Sequence, residues 1–325
     1  MHRHLVLIGT GGTIAATANA AQQLTDYTVT QGIAAMLAAV PGAHELADIH
    51  CEQLFNIDSR AMGSAQVLRL ARRIEQHLKS GAVDGIVVTH GTDTLEETAF
   101  LLHLTLQCQV PVVLVGAMRP GSALSADGPL NLYNALLVAC DPASQARGVL
   151  VAMNDTIVSA RAALKLSTTQ VQAFGVDGTG VLGSITDRVV RYWARPDVPA
   201  NPLCSLKGLR RLPAVDLILD YQDAPLHPYQ AAIAAGASGI VVAGMGNGSL
   251  SSAAERGCRL ATRHGLVCIR ASRVPRGAVT LKSSDHDTGL LAAGALNALQ
   301  ARTVLRLALA QHWGTEQIRE TLQRL

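Results

Sequence analysis

Short β-branched runs alternate along this chain with segments of helical period, and that alternation restricts it to an α/β architecture. The runs are Leu5–Ile8, Gly85–Thr89, Val112–Val115 and Gly148–Val151; helical patterns lie near Ala65–Lys79, Glu96–Gln107 and Leu130–Cys140. Strands joined by helices of this length form βαβ units and a parallel sheet. Right-handed crossovers then bring the loops that follow the strands to one edge, where open α/β sheets bind ligands. Composition agrees. Hydrophobic residues make up 49% and charged residues 16%, with aromatics at 3%, so the apolar content is aliphatic, as strands covered on both faces require.

Texture changes at Ala194–Pro213, where Pro196, Pro199, Pro202 and Pro213 cluster and periodicity fades. This predicts a domain at 1–193, a linker at 194–213 and a second α/β domain at 214–325. The second domain shows runs at Val215–Leu219, Gly239–Ala243 and Val267–Arg270. Helices are expected near Tyr229–Ala235 and Ser252–Arg263, and two amphipathic segments close the chain near Ala292–Ala310 and Thr315–Leu325.

Several function classes are disfavoured. A formal charge of +3 on 325 residues, with arginines scattered, argues against nucleic-acid binding. No apolar run reaches membrane-spanning length. The six cysteines form no C-x-x-C pair and fall mostly in apolar runs, which predicts free thiols and a cytosolic setting. Met1 leads directly into the first strand without a signal-peptide pattern, although a trimmed leader would leave the same start and imply a periplasmic protein.

Chemistry is expected just after the strands. The first runs into Gly9-Thr10-Gly11-Gly12-Thr13-Ile14-Ala15. A dinucleotide loop is the obvious alternative, but Ile14 stands where G-x-G-x-x-G requires glycine, and the phosphate-cradling pattern also fails. Tyr27 follows in Asp26-Tyr27-Thr28-Val29; an isolated tyrosine is more often a packing residue. The strand Gly85–Thr89 ends in His90-Gly91-Thr92-Asp93-Thr94-Leu95-Glu96-Glu97. Read structurally, Asp93 or Thr94 caps a helix and Glu96-Glu97 complement its dipole. That leaves the His-Gly-Thr-Asp run at the ligand edge unexplained. Lys165 lies in an Ala/Leu context that predicts partial burial, and burial moves an amine toward a usable base. No metal-spaced cluster and no cofactor motif is present.

The runs TGGTIA (Thr10–Ala15) and THGTDTLEETA (Thr89–Ala99) resemble the two signature motifs of the bacterial-type L-asparaginases. The resemblance continues in order through VGAMRP (Val115–Pro120), SADGPLNLYNA (Ser125–Ala135), MNDT (Met153–Thr156), GNG (Gly246–Gly248) and SRVPRG (Ser272–Gly277). It implies a flavodoxin-like N-terminal domain with a parallel sheet plus a smaller α/β C-terminal domain. It also implies a homotetramer, a dimer of dimers, acting on a small amino-acid amide. The activity implied is hydrolysis of L-asparagine to L-aspartate and ammonia. By the same resemblance Thr13 is the nucleophile and Tyr27 accompanies it. Thr92 is a second threonine working with Lys165 and Asp93. Ser59 binds the substrate α-carboxylate, Ala117 joins the substrate contacts, and Asn247 reaches a neighbouring subunit's site.

These residue types suit the reaction. An amide is a poor electrophile, and a positioned hydroxyl splits one hard hydrolysis into acylation and deacylation. Lys165, acting through Thr92, would take the hydroxyl proton, a contribution on the order of 10²–10⁴-fold. Backbone N–H groups of the glycine-rich loops would hold the oxyanion, at about 3–4 kcal/mol per donor, and Asp93 would anchor the substrate ammonium. Two departures bear on substrate. Arg60 stands where the family has glutamine after Ser59, and Ser284 sits at or beside the place of a family glutamate. A glutaminase-asparaginase is the nearest alternative, since one methylene gives only about 1–3 kcal/mol of discrimination. A nucleotide-binding α/β protein is the alternative of another class.

Overall fold

The computed structural model describes residues 3–176, 180–196, 198 and 201–325. Pro199, expected in the linker, lies outside them, as does Met1. The chain divides into two compact units, Met1–Leu206 and Lys207–Leu325.

In the first unit the strands are β1 (His4–Gly11), β2 (Ala16–Thr17), β3 (Thr28–Val29), β4 (Asp48–Ile57), β5 (Gly85–Thr89), β6 (Val112–Val115), β7 (Val149–Met153), β8 (Thr156–Ser159), β9 (Ala163–Lys165), β10 (Phe174–Val176), β11 (Gly183–Thr186) and β12 (Val189–Tyr192). Its α-helices are α1 (Ile33–Ala38), α2 (Ala43–Leu46), α3 (Ser64–Ser80), α4 (Leu95–Thr105) and α5 (Gly128–Cys140). Eight strands form one sheet in the order β12-β11-β8-β7-β6-β5-β1-β4. The five from β4 to β7 are parallel. Counted along the chain they run 2-1-3-4-5, the flavodoxin-like order. The sheet is not parallel throughout: β8, β11 and β12 extend it in antiparallel fashion. Turn residues Asn154 and Asp155, both with positive φ, reverse the chain after β7 in a two-residue hairpin loop.

The parallel strands are continuous apolar runs because both of their faces are covered. Every residue of β5, β6 and β7 is buried. On one face, Leu5, Leu7, Val87, Val113 and Leu150 pack with Leu132, Ala135 and Leu136 of α5. Helix α3 buries Val67, Leu68, Leu70, Ala71 and Ile74, the one-sided spacing of an amphipathic helix, and stops at Gly81 with φ +65°.

The second unit carries a parallel four-stranded sheet, β13 (Val215–Leu219), β14 (Gly239–Gly244), β15 (Val267–Ser272) and β16 (Leu290–Ala292), in that spatial order. Its helices are α6 (His227–Ala234), α7 (Ser252–Arg263), α8 (Ser283–Thr288), α9 (Ala298–Ala310) and α10 (Thr315–Arg324). Among the described residues no helix is long and apolar enough to cross a membrane.

Candidate active site

Parallel order places the ends of β1, β4, β5 and β6 side by side, so four loops meet at one edge of the first sheet. Two glycines let them touch. Gly12 has φ +85°, and a Cβ there would run into the backbone of Gly91. A Cβ on Gly91 would lie 2.6 Å from Ser59 Oγ. Glycine therefore brings the β1 and β5 loops into backbone contact and lets the Ser59 side chain of the β4 loop pack on Gly91, which no side-chain-bearing residue permits. The loop after β6 joins them: a Cβ on Gly116 would lie 2.7 Å from the His90 carbonyl oxygen and 3.0 Å from Thr92 Cγ2.

The β1 loop continues into a short 3₁₀ turn, Thr13–Ala15, and Thr13 is buried. Its hydroxyl lies 2.7 Å from the Tyr27 hydroxyl. Tyr27 precedes β3, which pairs with β2 directly after the turn, so a short antiparallel ribbon carries the tyrosine back to the threonine. The residue that composition would assign to packing is thus in hydrogen-bond contact with Thr13.

The β5 loop holds a second hydroxyl. Lys165 Nζ donates to Thr92 Oγ1 at 2.9 Å and to Asp93 Oδ1 at 2.5 Å. Thr92 is buried, the Lys165 side chain is 18% exposed, and the Asp93 side chain is 61% exposed. The lysine stands at the end of β9, far from Thr92 in sequence, and the loop before α4 receives it. Because the lysine donates to Thr92 Oγ1, the hydroxyl keeps its own proton for another acceptor.

Helix capping at α4 differs from expectation. Thr94 occupies the cap position but forms no side-chain cap; its hydroxyl donates to the Ser59 carbonyl at 2.9 Å. This ties the β5 loop to the β4 loop, which outweighs a cap worth about 1 kcal/mol. Glu96 likewise does more than face the helix dipole. Its Oε2 accepts the Lys165 backbone N–H at 2.7 Å. Burial is the largest influence on this carboxyl and raises its pKa; the Lys165 N–H opposes the rise and neighbouring Glu97 adds to it.

Ser59 is buried. Arg60 is exposed, its backbone N–H donates to Asp58 Oδ1 at 3.0 Å, and its guanidinium pairs with the same carboxylate at 3.3 Å. Ala117 is fully buried in the β6 loop. That loop is held by residues to which the motifs alone assigned no task. Asp127 accepts the N–H groups of Met118 and Arg119, both at 2.9 Å. Asn131 donates to the Gly116 carbonyl at 3.1 Å and accepts the Asn154 N–H at 2.9 Å. The spacing of Asp127 and Asn131, four residues apart at the start of α5, was a readable sign that both face one side of the helix.

His90 is wholly buried. Its Nδ1 lies 2.7 Å from the Gly91 carbonyl, so in the neutral ring Nδ1 carries the hydrogen. Desolvation lowers its pKa to about 4, against the opposing pull of that carbonyl.

In the second unit, Asn247 follows β14 and exchanges two hydrogen bonds with Thr280: Nδ2 donates to Thr280 Oγ1 at 2.7 Å and Oδ1 accepts the Thr280 N–H at 2.9 Å. Ser284 is exposed in α8, beside buried Asp285. Among the described residues no group of three or more His, Cys, Asp or Glu side chains could hold a metal.

A flavodoxin-ordered sheet with two hydroxyl systems at its ligand edge, one threonine on a tyrosine and one on a lysine–aspartate pair, defines an α/β protein equipped for hydroxyl chemistry. The family description "Asparaginase, N-terminal" matches residues 4–197, and "Glutaminase/Asparaginase C-terminal domain" matches residues 214–322. The chain belongs to the asparaginase family. It is 42% identical over 308 residues to L-asparaginase 2 of Bacillus subtilis, covering 94% of this chain and 82% of that one. It is 40% identical to L-asparaginase 2 of Escherichia coli (98% and 92% covered) and 38% identical to the glutaminase-asparaginase of Pseudomonas fluorescens (95% and 86%). A crystal structure described as a probable cytoplasmic L-asparaginase from Campylobacter jejuni superposes with a TM-score of 0.96 at 39% identity, covering 99% of this chain and 100% of the other.

Proposed function

We propose that this chain is an L-asparaginase that hydrolyses L-asparagine to L-aspartate and ammonia through a threonine ester. One observation carries the reading: Thr13, bonded to Tyr27, and Thr92, bonded to Lys165 beside Asp93, sit on loops whose backbones touch at Gly12 and Gly91. In this reading Thr13 Oγ attacks the side-chain amide carbon and its proton passes through the Tyr27 hydroxyl to the departing nitrogen. The C–N bond breaks, the nitrogen takes up a proton, and ammonia departs. Water then attacks the ester as the Thr92 hydroxyl takes its proton and hands its own to the Lys165 amine in its neutral form, and L-aspartate leaves with Thr13 restored. Asp93 is exposed enough to receive the substrate ammonium while one oxygen holds Lys165. Ser59, Arg60 and Ala117 line the substrate's other end.

The test is ammonia release from asparagine by wild type, Thr13→Ala and Thr92→Val. Each variant is expected to lose activity by 10³-fold or more, since each removes part of a unit. Full amidase activity in either would overturn the assignment. A glutaminase-asparaginase is the second reading, favoured by the relatives of that name, and the same assay with glutamine separates the two. We further read residues 194–213 as a linker between domains. We also propose homotetramers in which Asn247 reaches a neighbouring subunit's site, with Ser284 among the substrate contacts, and a cytosolic setting suited to six free cysteines. Light scattering in solution tests the assembly.

A further inference from the structure

The geometry assigns a positioning role to Glu96: its carboxylate fixes the backbone of Lys165 so that Nζ of the same residue meets Thr92 Oγ1. Lys165 is gripped at both ends by one short stretch of chain. Its N–H is accepted by Glu96 Oε2 at 2.7 Å, while its Nζ donates to Thr92 at 2.9 Å and to Asp93 at 2.5 Å. Residues 92, 93 and 96 belong to the loop and first turn of α4, a segment anchored by fully buried Leu95. The lysine itself comes from β9, a three-residue strand outside the main sheet that pairs only with β10 among the described strands. Ala163 of this strand is buried, while Leu164 and Lys165 are only partly so. A carboxylate that accepts a backbone N–H forms a charge-assisted bond, roughly twice as strong as a neutral one. Glu96 keeps this bond although it is partly buried and burial disfavours its charge. Helix complementation alone would leave it facing water, as for a solvated first-turn glutamate.

This inference rests on the amidase reading for its kinetic arm only. Steady-state ammonia release from asparagine and hydrogen–deuterium exchange of the peptide spanning 163–166 are measured for wild type, Glu96→Ala and Glu96→Gln. Glu96→Ala is expected to lower kcat roughly 10- to 100-fold, the effect of a displaced catalytic group, while KM stays within about twofold. Exchange at the Lys165 amide should rise about tenfold or more. Glu96→Gln keeps an acceptor oxygen and should regain both to within about threefold. Unchanged exchange, or wild-type kcat, in Glu96→Ala overturns the assignment, as does a loss that appears in KM or that glutamine fails to rescue. A wild type inactive on both amides would instead overturn the proposed function, and the exchange arm would still decide the positioning role.

Discussion

Two ion pairs of equal length occupy opposite situations in this molecule. Lys165–Asp93 and Arg270–Asp285 are both 2.5 Å apart, yet the first has side-chain exposures of 18% and 61% and the second 2% and 4%. Arg270, on β15, also donates to the carbonyls of Asn247, Gly248 and Thr280, and Asp285 accepts the Lys282 N–H. The guanidinium and carboxylate are fully engaged, as a buried pair must be if its desolvation is to be offset. It ties the loop after β14 to α8. The lysine pair is different: Asp93 stays open to water, and the lysine spends a donor on a hydroxyl rather than on a carbonyl that closes a loop. Saturation marks a pair that holds structure, and incompleteness marks one available for chemistry.

Breaking each pair should therefore injure a different property. Lys165→Met is expected to lower kcat on asparagine by about 10²–10⁴-fold, the range of an acid–base group. Its unfolding free energy should change by less than about 1 kcal/mol, because half-exposed pairs contribute little. Asp285→Ala leaves Arg270 buried and unpaired, and should cost about 3–5 kcal/mol in urea unfolding. If Lys165→Met proved the less stable variant, the contrast between the pairs would be wrong.

Asp93, the exposed member of the proposed catalytic pair, stands on a loop that has its own buried titrating group. His90 is neutral in the folded chain with a pKa near 4, below its ordinary value of 6.5. Between those values the unfolded chain binds the extra proton, so stability is fully present above pH 6.5 and declines as pH falls toward 4. The loss approaches about 3 kcal/mol at the acid end. Unfolding of wild type and His90→Asn across this range should show the wild-type slope reduced in the variant; parallel curves would remove His90 from the account.

How far this contrast is legible in sequence depends on range. Apolar runs announced β5, β6 and β7 because strands buried on both faces have nowhere to place a polar side chain. The glycines at 11, 12 and 91 marked loops at the ligand edge, but not that those loops touch one another. The strands β8, β11 and β12 escaped notice: they are four residues each, Ser, Thr and Gly interrupt β8 and β11, and no residue of β12 is fully buried. The strand β4 escaped for a similar reason, its residues being only partly buried. Within the site, Thr13, Thr92 and Lys165 were nameable from motifs. The contacts of Glu96 with Lys165 and of Thr94 with Ser59 were not, because both residues already satisfy a local rule at a helix start. Nothing in the 3.6-residue period says that their side chains reach 69 and 35 residues away instead.

Arg60 extends the comparison to a third pair and to the smallest effect. Its guanidinium is 82% exposed and lies 3.3 Å from Asp58, a separation and exposure that contribute almost nothing to stability. Asp58 already accepts the Arg60 backbone N–H, so the turn keeps its anchor when the side chain changes. Arg60→Gln should accordingly leave unfolding unchanged within about 0.5 kcal/mol. What remains is recognition. An exposed guanidinium next to Ser59 in the chain offers a carboxylate two donors and a full charge, whereas an amide offers one weaker donor pair. The substitution is expected to raise KM for asparagine a few-fold and to shift the asparagine-to-glutamine ratio of kcat/KM by less than about tenfold, the scale of one exposed contact. Identical constants on both amides would show that Arg60 faces solvent throughout turnover and that substrate selection lies with the buried partners of the β4 and β6 loops.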